Sequence, residues 1–132
     1  MSHMLKSWAI ASSGMRAEWK RMQVISKNLA NAQTTRGKDN KPYRKQYAVF
    51  STALDNVQGV RTSGTVDSNR PGRRVYDPNH PHADKKGYVT MPNVKVPMET
   101  MDMMEASRAY QANLKALQSF REISKRTIQL MG

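Results

Sequence analysis

The stretch that decides the fold is residues 5–29, LKSWAIASSGMRAEWKRMQVISKNL. Apolar side chains recur in it every seven residues, at Trp8, Met15, Met22 and Leu29. Three more large apolar residues flank this series, namely Leu5, Trp19 and Ile25. A repeat of seven places these side chains along one face of an α-helix. The spacing therefore predicts a long amphipathic helix that draws its stability from a partner packed on its apolar face.

A second stretch of the same character runs from about Met98 to Leu130 and contains neither glycine nor proline. Its seven-residue series is Ala109, Ala116, Ile123 and Leu130, accompanied by larger residues at Met103, Tyr110, Leu117, Phe120 and Met131. Pro97 precedes this stretch and suits the first position of a helix, where a backbone N–H has no partner within the helix. We expect a second amphipathic helix here.

The residues between the two helical stretches follow a different pattern. Three β-prone runs occur there: one containing Tyr43, Tyr47, Val49 and Phe50, a mixed run from Val57 to Val66, and Gly87–Met91. All six prolines also fall between residues 42 and 97. Ser63–Arg74 and Asp77–Lys86 are rich in Pro, Gly, Asn, Asp and charged residues, so we expect long loops in these two places.

Together these patterns predict an α+β fold in three segments: an N-terminal helix in 1–32, a small β-rich, loop-rich middle module in 33–97, and a C-terminal helix in 98–132. The terminal helices are expected to pack as a coiled-coil-like pair. The weakly apolar middle is too small to cover both apolar faces. We therefore expect copies of the chain, or related chains, to complete the packing, which makes the protein an assembly subunit.

Composition limits the class of partner. The 132 residues suit one domain, and because only 38% of them are hydrophobic, we expect a thin core. The formal net charge is +12, and the surplus lies in residues 1–75, where fourteen Lys and Arg face four Asp and Glu. Such a charge favours an anionic partner. Cysteine is absent, which excludes disulfides, thiolate catalysis and thiolate-bound zinc.

The sequence also lacks the usual patterns of enzymes and membrane proteins. Neither a GxSxG elbow, a Walker loop nor a GxGxxG motif occurs. No apolar run approaches the roughly 18 residues that span a bilayer, and no cleavable signal pattern is present. We expect a protein that is not an enzyme, has no cofactor, and is either soluble or exported without a cleaved signal.

Two clusters resemble metal or cofactor sites. The first is His80 and His82 around Pro81, with Asp77 and Asp84 nearby; a turn fixed by prolines explains it better, because this spacing matches no standard ligand geometry. The second is the methionine group Met98, Met101, Met103 and Met104. Flexible thioethers are far more often packing residues at an interface. The small residues that follow, Ala106, Ala109, Ala112 and Ala116, favour a close helix–helix approach.

The segment from Arg36 to Tyr47 combines cations with aromatic rings: Arg36, Lys38, Lys41, Arg44 and Lys45 with Tyr43 and Tyr47. Cations neutralise phosphates and tyrosines stack on bases, so the segment supports an alternative function as a basic nucleic-acid-binding protein. No recognised nucleic-acid-binding motif accompanies it. A strand edge protected from mispairing by its charges is the commoner explanation, and binding to an export chaperone or a membrane surface is a third possibility.

Three motifs resemble a known family. Residues 11–35, ASSGMRAEWKRMQVISKNLANAQTT, resemble the N-terminal signature of bacterial flagellar rod, hook and axial proteins. Residues 42–46, PYRKQ, and 76–94, YDPNHPHADKKGYVTMPNV, are similar to the proximal rod proteins in particular. Residues 103–113, MMEASRAYQAN, resemble the C-terminal motif of the axial proteins. The chain is identified by these motifs as a member of the flagellar basal-body rod family.

The resemblance implies a structural subunit of the proximal rod, the shaft that crosses the periplasm and transmits torque for motility. It also implies self-assembly through the terminal helices, with copies of the chain and other rod proteins as partners. Export by the flagellar type III apparatus, without a cleaved signal peptide, is a further implication. No small-molecule substrate or cofactor is expected.

The residues expected to mediate helix packing and assembly are those of the two apolar series: Leu5, Trp8, Met15, Met22, Ile25, Leu29, Met103, Tyr110, Leu117, Phe120 and Ile123. Four polar residues come from the family motifs: Asn28, Asn31, Gln111 and Asn113. The resemblance implies that these, together with Tyr110, form hydrogen bonds at helix ends or between neighbouring subunits.

Overall fold

The computed structural model describes residues 2–37, 39–52 and 59–132. Two helices enclose four strands along this described chain, in the order α1 (Ser2–Ala30), β1 (Gln46–Thr52), β2 (Val60–Asp67), β3 (Arg74–Tyr76), β4 (Tyr88–Thr90) and α2 (Val96–Met131). Strands β1 and β2 form one two-stranded sheet, and β3 and β4 form another. This arrangement confirms the α+β fold with two long terminal helices and a small strand-rich middle.

The strand predictions are largely confirmed, with one correction. Strand β4 lies within its predicted run, and β1 and β2 overlap theirs but end one or two residues later. Tyr43 precedes β1, and residues 57 and 58 lie outside the described part of the chain. The loop predicted for Ser63–Arg74 is wrong at both ends, because Ser63–Asp67 belongs to β2 and Arg74 begins β3. Pairing with β1 keeps the chain extended through Gly64, whose φ of +130° suits glycine alone.

One compact unit, which we call the helix-pair unit, consists of the described residues in 2–22, 48–64 and 104–132. Its two helices run antiparallel. The Ser124 hydroxyl contacts the sulfur of Met4 at 3.2 Å, and the rings of Trp19 and Tyr110 lie 6.0 Å apart. At Gly14 the helices approach so closely that a β-carbon would lie 3.0 Å from the Asn113 amide.

Three of the four buried residues in the described part of the helix-pair unit are alanines. The four are Ala11, Ala17, Ala106 and Leu117. Alanines permit close approach of two helices, but each contributes little apolar area, so this unit has the thin core that the composition predicts.

The second compact unit, which we call the junction unit, consists of the described residues in 23–47 and 65–103. Strands β3 and β4 pair antiparallel in it, and Val75 lies opposite Val89. The turn that joins them needs glycine at residue 87, since φ is +86° and a β-carbon would come within 2.9 Å of the Tyr76 ring.

Four buried residues of the junction unit are polar or charged: Asn28, Thr35, Ser68 and Glu99. Apolar burial in this unit comes from Val24, Ile25 and Val89. A buried polar group destabilises a fold unless it is hydrogen-bonded. The stability of this unit therefore depends on how completely those groups find partners.

Candidate assembly interface

The ends of both helices expose large apolar side chains. Leu5, near the start of α1, is 70% exposed, and Ile128 and Leu130, near the end of α2, are 71% and 90% exposed. Met131 is also exposed. Single exposed apolar residues are ordinary on protein surfaces, but three within the last four residues of one helix mark a surface suited to a partner.

The eleven predicted assembly residues differ in exposure. Leu5, Trp8 and Ile123 are exposed, whereas Ile25 and Leu117 are buried. The remaining six are half-buried: Met15, Met22, Leu29, Met103, Tyr110 and Phe120. Half-buried side chains in an isolated chain retain apolar area that a neighbour can cover. Their role in assembly stays a prediction.

Small residues carry part of the helix contact. Ala106 is fully buried, which agrees with the close approach expected from the alanine series, whereas Ala112 is exposed. The sequence pattern of large apolar residues did not predict the burial of Ala11 and Ala17 in α1. Alanine spacing in α1, considered together with that in α2, could have identified them.

Asn28, in the last turn of α1, is the best-connected side chain of the junction unit and is only 1% exposed. Its Nδ2 donates to the carbonyl oxygen of Gln46 at 2.9 Å and to Oε2 of Glu99 at 3.1 Å. Its Oδ1 accepts from the N–H of Gln46 at 2.9 Å and from the hydroxyl of Tyr43 at 2.7 Å. An amide side chain has two donor hydrogens and two acceptor lone pairs, so its hydrogen-bonding capacity is filled.

Because Asn28 bonds both the N–H and the C=O of Gln46, its side chain pairs with the start of β1 as another strand would. The same amide reaches Glu99 in the first turn of α2. One side chain thus links three elements. The family motif predicts a hydrogen-bonding role for Asn28, but it does not predict which residues are the partners.

Glu99 is completely buried and forms an ion pair with Lys45, whose side chain is also mostly buried. Lys45 Nζ lies directly against Oε1, so a cation faces a carboxylate that is shielded from solvent. Burial lowers the pKa of Lys45, but the hydrogen bond and charge of Glu99, with smaller contributions from Tyr47 and Asp102, together raise it by more. The net pKa of Lys45 therefore lies above its usual value. Burial, followed by the charges of Asp67 and Glu99, raises the pKa of the Tyr43 hydroxyl.

The other motif polar residues make more local bonds. Asn31 donates to the Lys27 carbonyl at 2.8 Å and accepts from the Thr34 hydroxyl at 3.2 Å. Asn113 donates to the Ala109 carbonyl within its own helix, and Gln111 is exposed. Of the four motif residues, only Asn28 is a buried connection between elements.

The basic segment 36–47 is partly used inside the fold. Tyr43 donates to Asn28, and Lys45 is paired with Glu99 and lies 4.7 Å from the centre of the Tyr47 ring. Arg36, Lys41 and Arg44 remain exposed, and Lys38 lies outside the described residues. Tyr43 is therefore engaged within the fold, whereas Tyr47 is exposed.

The histidine cluster forms a hydrogen-bonded turn. His80 Nδ1 accepts the backbone N–H of His82 at 3.0 Å, and His82 Nδ1 lies 2.6 Å from the Thr35 hydroxyl. Asp84 accepts the backbone N–H groups of Lys86 and Tyr88 and pairs with Arg74. Among the described residues, no three His, Asp or Glu side chains are grouped so that they could hold a metal ion.

The methionines at the start of α2 are mostly exposed. Met98, Met101 and Met104 are exposed, and Met103 is half-buried.

In the part of the chain that the structure describes, neither helix is both long and apolar enough to cross a bilayer.

Comparison with known proteins identifies the family. Residues 9–37 match the family described as "Flagella basal body rod protein", and residues 85–130 match "Flagellar basal body rod FlgEFG protein C-terminal". The flagellar basal-body rod protein FlgC of Salmonella typhimurium is 39% identical over 130 residues, which cover 96% of this chain and 97% of that protein. FlgC of Borreliella burgdorferi is 35% identical over 142 residues, with 92% and 93% covered. FlgC of Agrobacterium fabrum is 39% identical over 131 residues, with 92% and 91% covered. The chain therefore belongs to the FlgC family of flagellar basal-body rod proteins.

Proposed function

We propose that the chain is a structural subunit of the proximal rod of the bacterial flagellar basal body, with no catalytic role. The single observation that carries this proposal is the similarity to FlgC proteins along nearly the whole chain. The exposed apolar helix ends support it, because a subunit that completes its packing through neighbours needs such surfaces.

Assembly proceeds through the terminal segments 1–32 and 98–132, while the middle module 33–97 lies between them in sequence. Fully burying one large aliphatic side chain stabilises a contact by roughly 1.5 to 3 kcal/mol. Leu5, Ile128 and Leu130 are the residues with most to gain from a neighbour. Their partners are copies of the chain and other rod proteins, and torque for motility passes through many such helix contacts at once.

The proposed location is the rod where it crosses the periplasm, reached through the flagellar type III export apparatus without a cleaved signal peptide. The thin alanine core of the helix-pair unit supports this route, since a marginally stable chain unfolds readily for export. Burial of the apolar helix ends then stabilises the subunit where it docks.

The experiment replaces exposed apolar residues without disturbing the core. We expect the double variant Leu5→Ser with Ile128→Ser to fold normally but to be missing from basal bodies isolated from a host whose own gene is deleted. The matched control is Lys6→Ser with Lys125→Ser, which alters exposed polar residues of the same two helices. Normal rods from the apolar double variant would overturn the proposal, and so would equal loss in the control.

The basic nucleic-acid-binding alternative rests on the charge of +12 and on the exposed cations of segment 36–47. A DNA titration at increasing salt distinguishes it, because phosphate contacts make affinity fall steeply with salt concentration. We expect no tight binding near physiological salt. Tight and steeply salt-dependent binding would favour the alternative.

A further inference from the structure

A cleft in the junction unit is lined by residues outside the helix-pair unit. Its volume is about 780 Å³, within the range of roughly 300 to 1,000 Å³ typical of ligand sites. Residues from four places line it: the chain after α1, the start of β1, the segment 68–73, and the segment 92–98 that leads into α2. Such a volume suits a short peptide segment better than a single ion.

Hydrogen bonds hold the walls of the cleft in place. Asn93 accepts the Lys45 N–H at 2.7 Å and donates to the Arg70 carbonyl at 2.9 Å. The N–H of Met91 donates to the Arg73 carbonyl at 2.7 Å. Because these bonds join three of the lining segments within the free chain, an occupant meets a preformed site and little ordering entropy opposes its binding.

The charge of the cleft is positive. Four of the lining residues are cationic, and the lining contains no Asp or Glu. Glu99 compensates Lys45, but no described carboxylate lies within ion-pair distance of Arg70, Arg73 or Lys95, all of which are exposed. A cleft lined by charges of one sign concentrates the electrostatic potential and attracts ligands of opposite charge.

The lining also has an apolar part. It includes Pro71, Pro92, Pro97, Val94 and Met98. Nucleic acids favour aromatic stacking platforms, and the aromatic residue of this lining, Tyr47, already has Lys45 4.7 Å from its ring centre. Cations beside an apolar surface instead match a peptide whose carboxylates flank an apolar side chain.

We infer that this cleft binds an acidic, partly apolar segment of a different protein. Arg70, Arg73 and Lys95 pair with carboxylates of the segment, and the valine and proline surface receives its apolar side chain. The inference goes beyond the proposed rod function and rests on different residues.

The test uses the full chain and a fluorescein-labelled peptide in which glutamates flank a pair of leucines. Fluorescence anisotropy should detect binding that weakens as salt rises, and a matched peptide with glutamine in place of glutamate should not bind. The double variant Arg70→Glu with Arg73→Glu should lose affinity about tenfold or more. Circular dichroism and thermal unfolding establish that the variant is folded.

The matched control is Lys20→Glu with Lys115→Glu, two exposed cations of the helix-pair unit whose reversal changes the net charge equally. It should retain wild-type affinity for the peptide. The milder pair Arg70→Gln with Arg73→Gln keeps the test decisive if the charge reversal fails to fold.

Equal losses in the cleft and control variants would overturn the inference in favour of general charge attraction. Absence of binding to the wild-type chain would also overturn it. Tighter binding of a single-stranded DNA oligonucleotide, lost in the same cleft variants, would assign the cleft to nucleic acid instead.

Discussion

The helix-pair unit and the junction unit are stabilised by different chemistry. In the helix-pair unit the buried residues are mostly alanines, and large apolar side chains at the helix ends face solvent. In the junction unit a buried amide, a buried carboxylate and a lysine satisfy one another. The difference teaches that the buried polar groups of the junction unit find their partners within one chain, whereas the helix-pair unit leaves apolar helix ends for a neighbour to cover.

Helix α1 contains both kinds of residue. Leu5 in its first turns is 70% exposed, whereas Asn28 in its last turn is 1% exposed and fully hydrogen-bonded. An ordinary surface helix instead buries its apolar residues and exposes its polar ones. Four predictions use this contrast, beginning with the largest effect.

The largest effect is expected from Asn28→Ala. It leaves the Gln46 backbone groups, the Tyr43 hydroxyl and Glu99 each short of a partner. We expect a loss of about 3 to 5 kcal/mol in the free energy of unfolding, measured by urea denaturation. Asn113→Ala, which removes one bond within a helix, should cost less than about 1 kcal/mol. Equal losses would remove the contrast between the units.

The next effect concerns the buried ion pair. Lys45→Met leaves the carboxylate of Glu99 without its counterion, and we expect a loss of about 3 kcal/mol in unfolding free energy. Combining it with Glu99→Gln removes the uncompensated charge and should restore part of that loss. If the double variant is less stable than Lys45→Met alone, the loss in Lys45→Met does not come from an uncompensated charge on Glu99.

A smaller effect is expected from acid. The backbone N–H groups of Tyr88 and Lys86, aided by Arg74, lower the pKa of Asp84 below its usual 3.8. Near this pKa the folded state therefore binds fewer protons than the unfolded state. The stability that ionised Asp84 contributes is present above its unfolded pKa of 3.8 and is lost as the pH falls through the lower pKa of the folded state. Thermal midpoints from pH 6 down to pH 3 (about one unit apart) measure the loss. Asp84→Asn should flatten this dependence, and an unchanged slope would contradict the assignment.

The smallest effect is expected on the exposed side chains. Leu5→Ser and Ile128→Ser should each change the unfolding free energy of the free chain by no more than about 0.5 kcal/mol. Leu117→Ala, in the buried contact of the same unit, should cost about 2 kcal/mol or more. A large loss from the exposed substitutions would mean that the isolated chain already covers them.

Sequence patterns predicted the helices well and the polar junction poorly. Both helices follow from their seven-residue series, and β1, β2 and β4 from local β-prone runs. Strand β3 depends on pairing with β4 across the turn at Gly87, which no local pattern reveals. No local pattern predicts the burial of Glu99, because that burial depends on Asn28 and Lys45 from distant parts of the chain.

The central claim is that the buried polar groups of the junction unit find their partners within one chain, whereas the apolar ends of the helix-pair unit need a neighbour to cover them. Amide hydrogen exchange on the free, full-length chain, followed by mass spectrometry, tests this claim most directly. We predict strong protection around Asn28, Val89 and Glu99 and weak protection in residues 2–10 and 121–131, with the weak regions becoming protected in isolated basal bodies. Equal protection of both units in the free chain, unchanged in basal bodies, would contradict the claim.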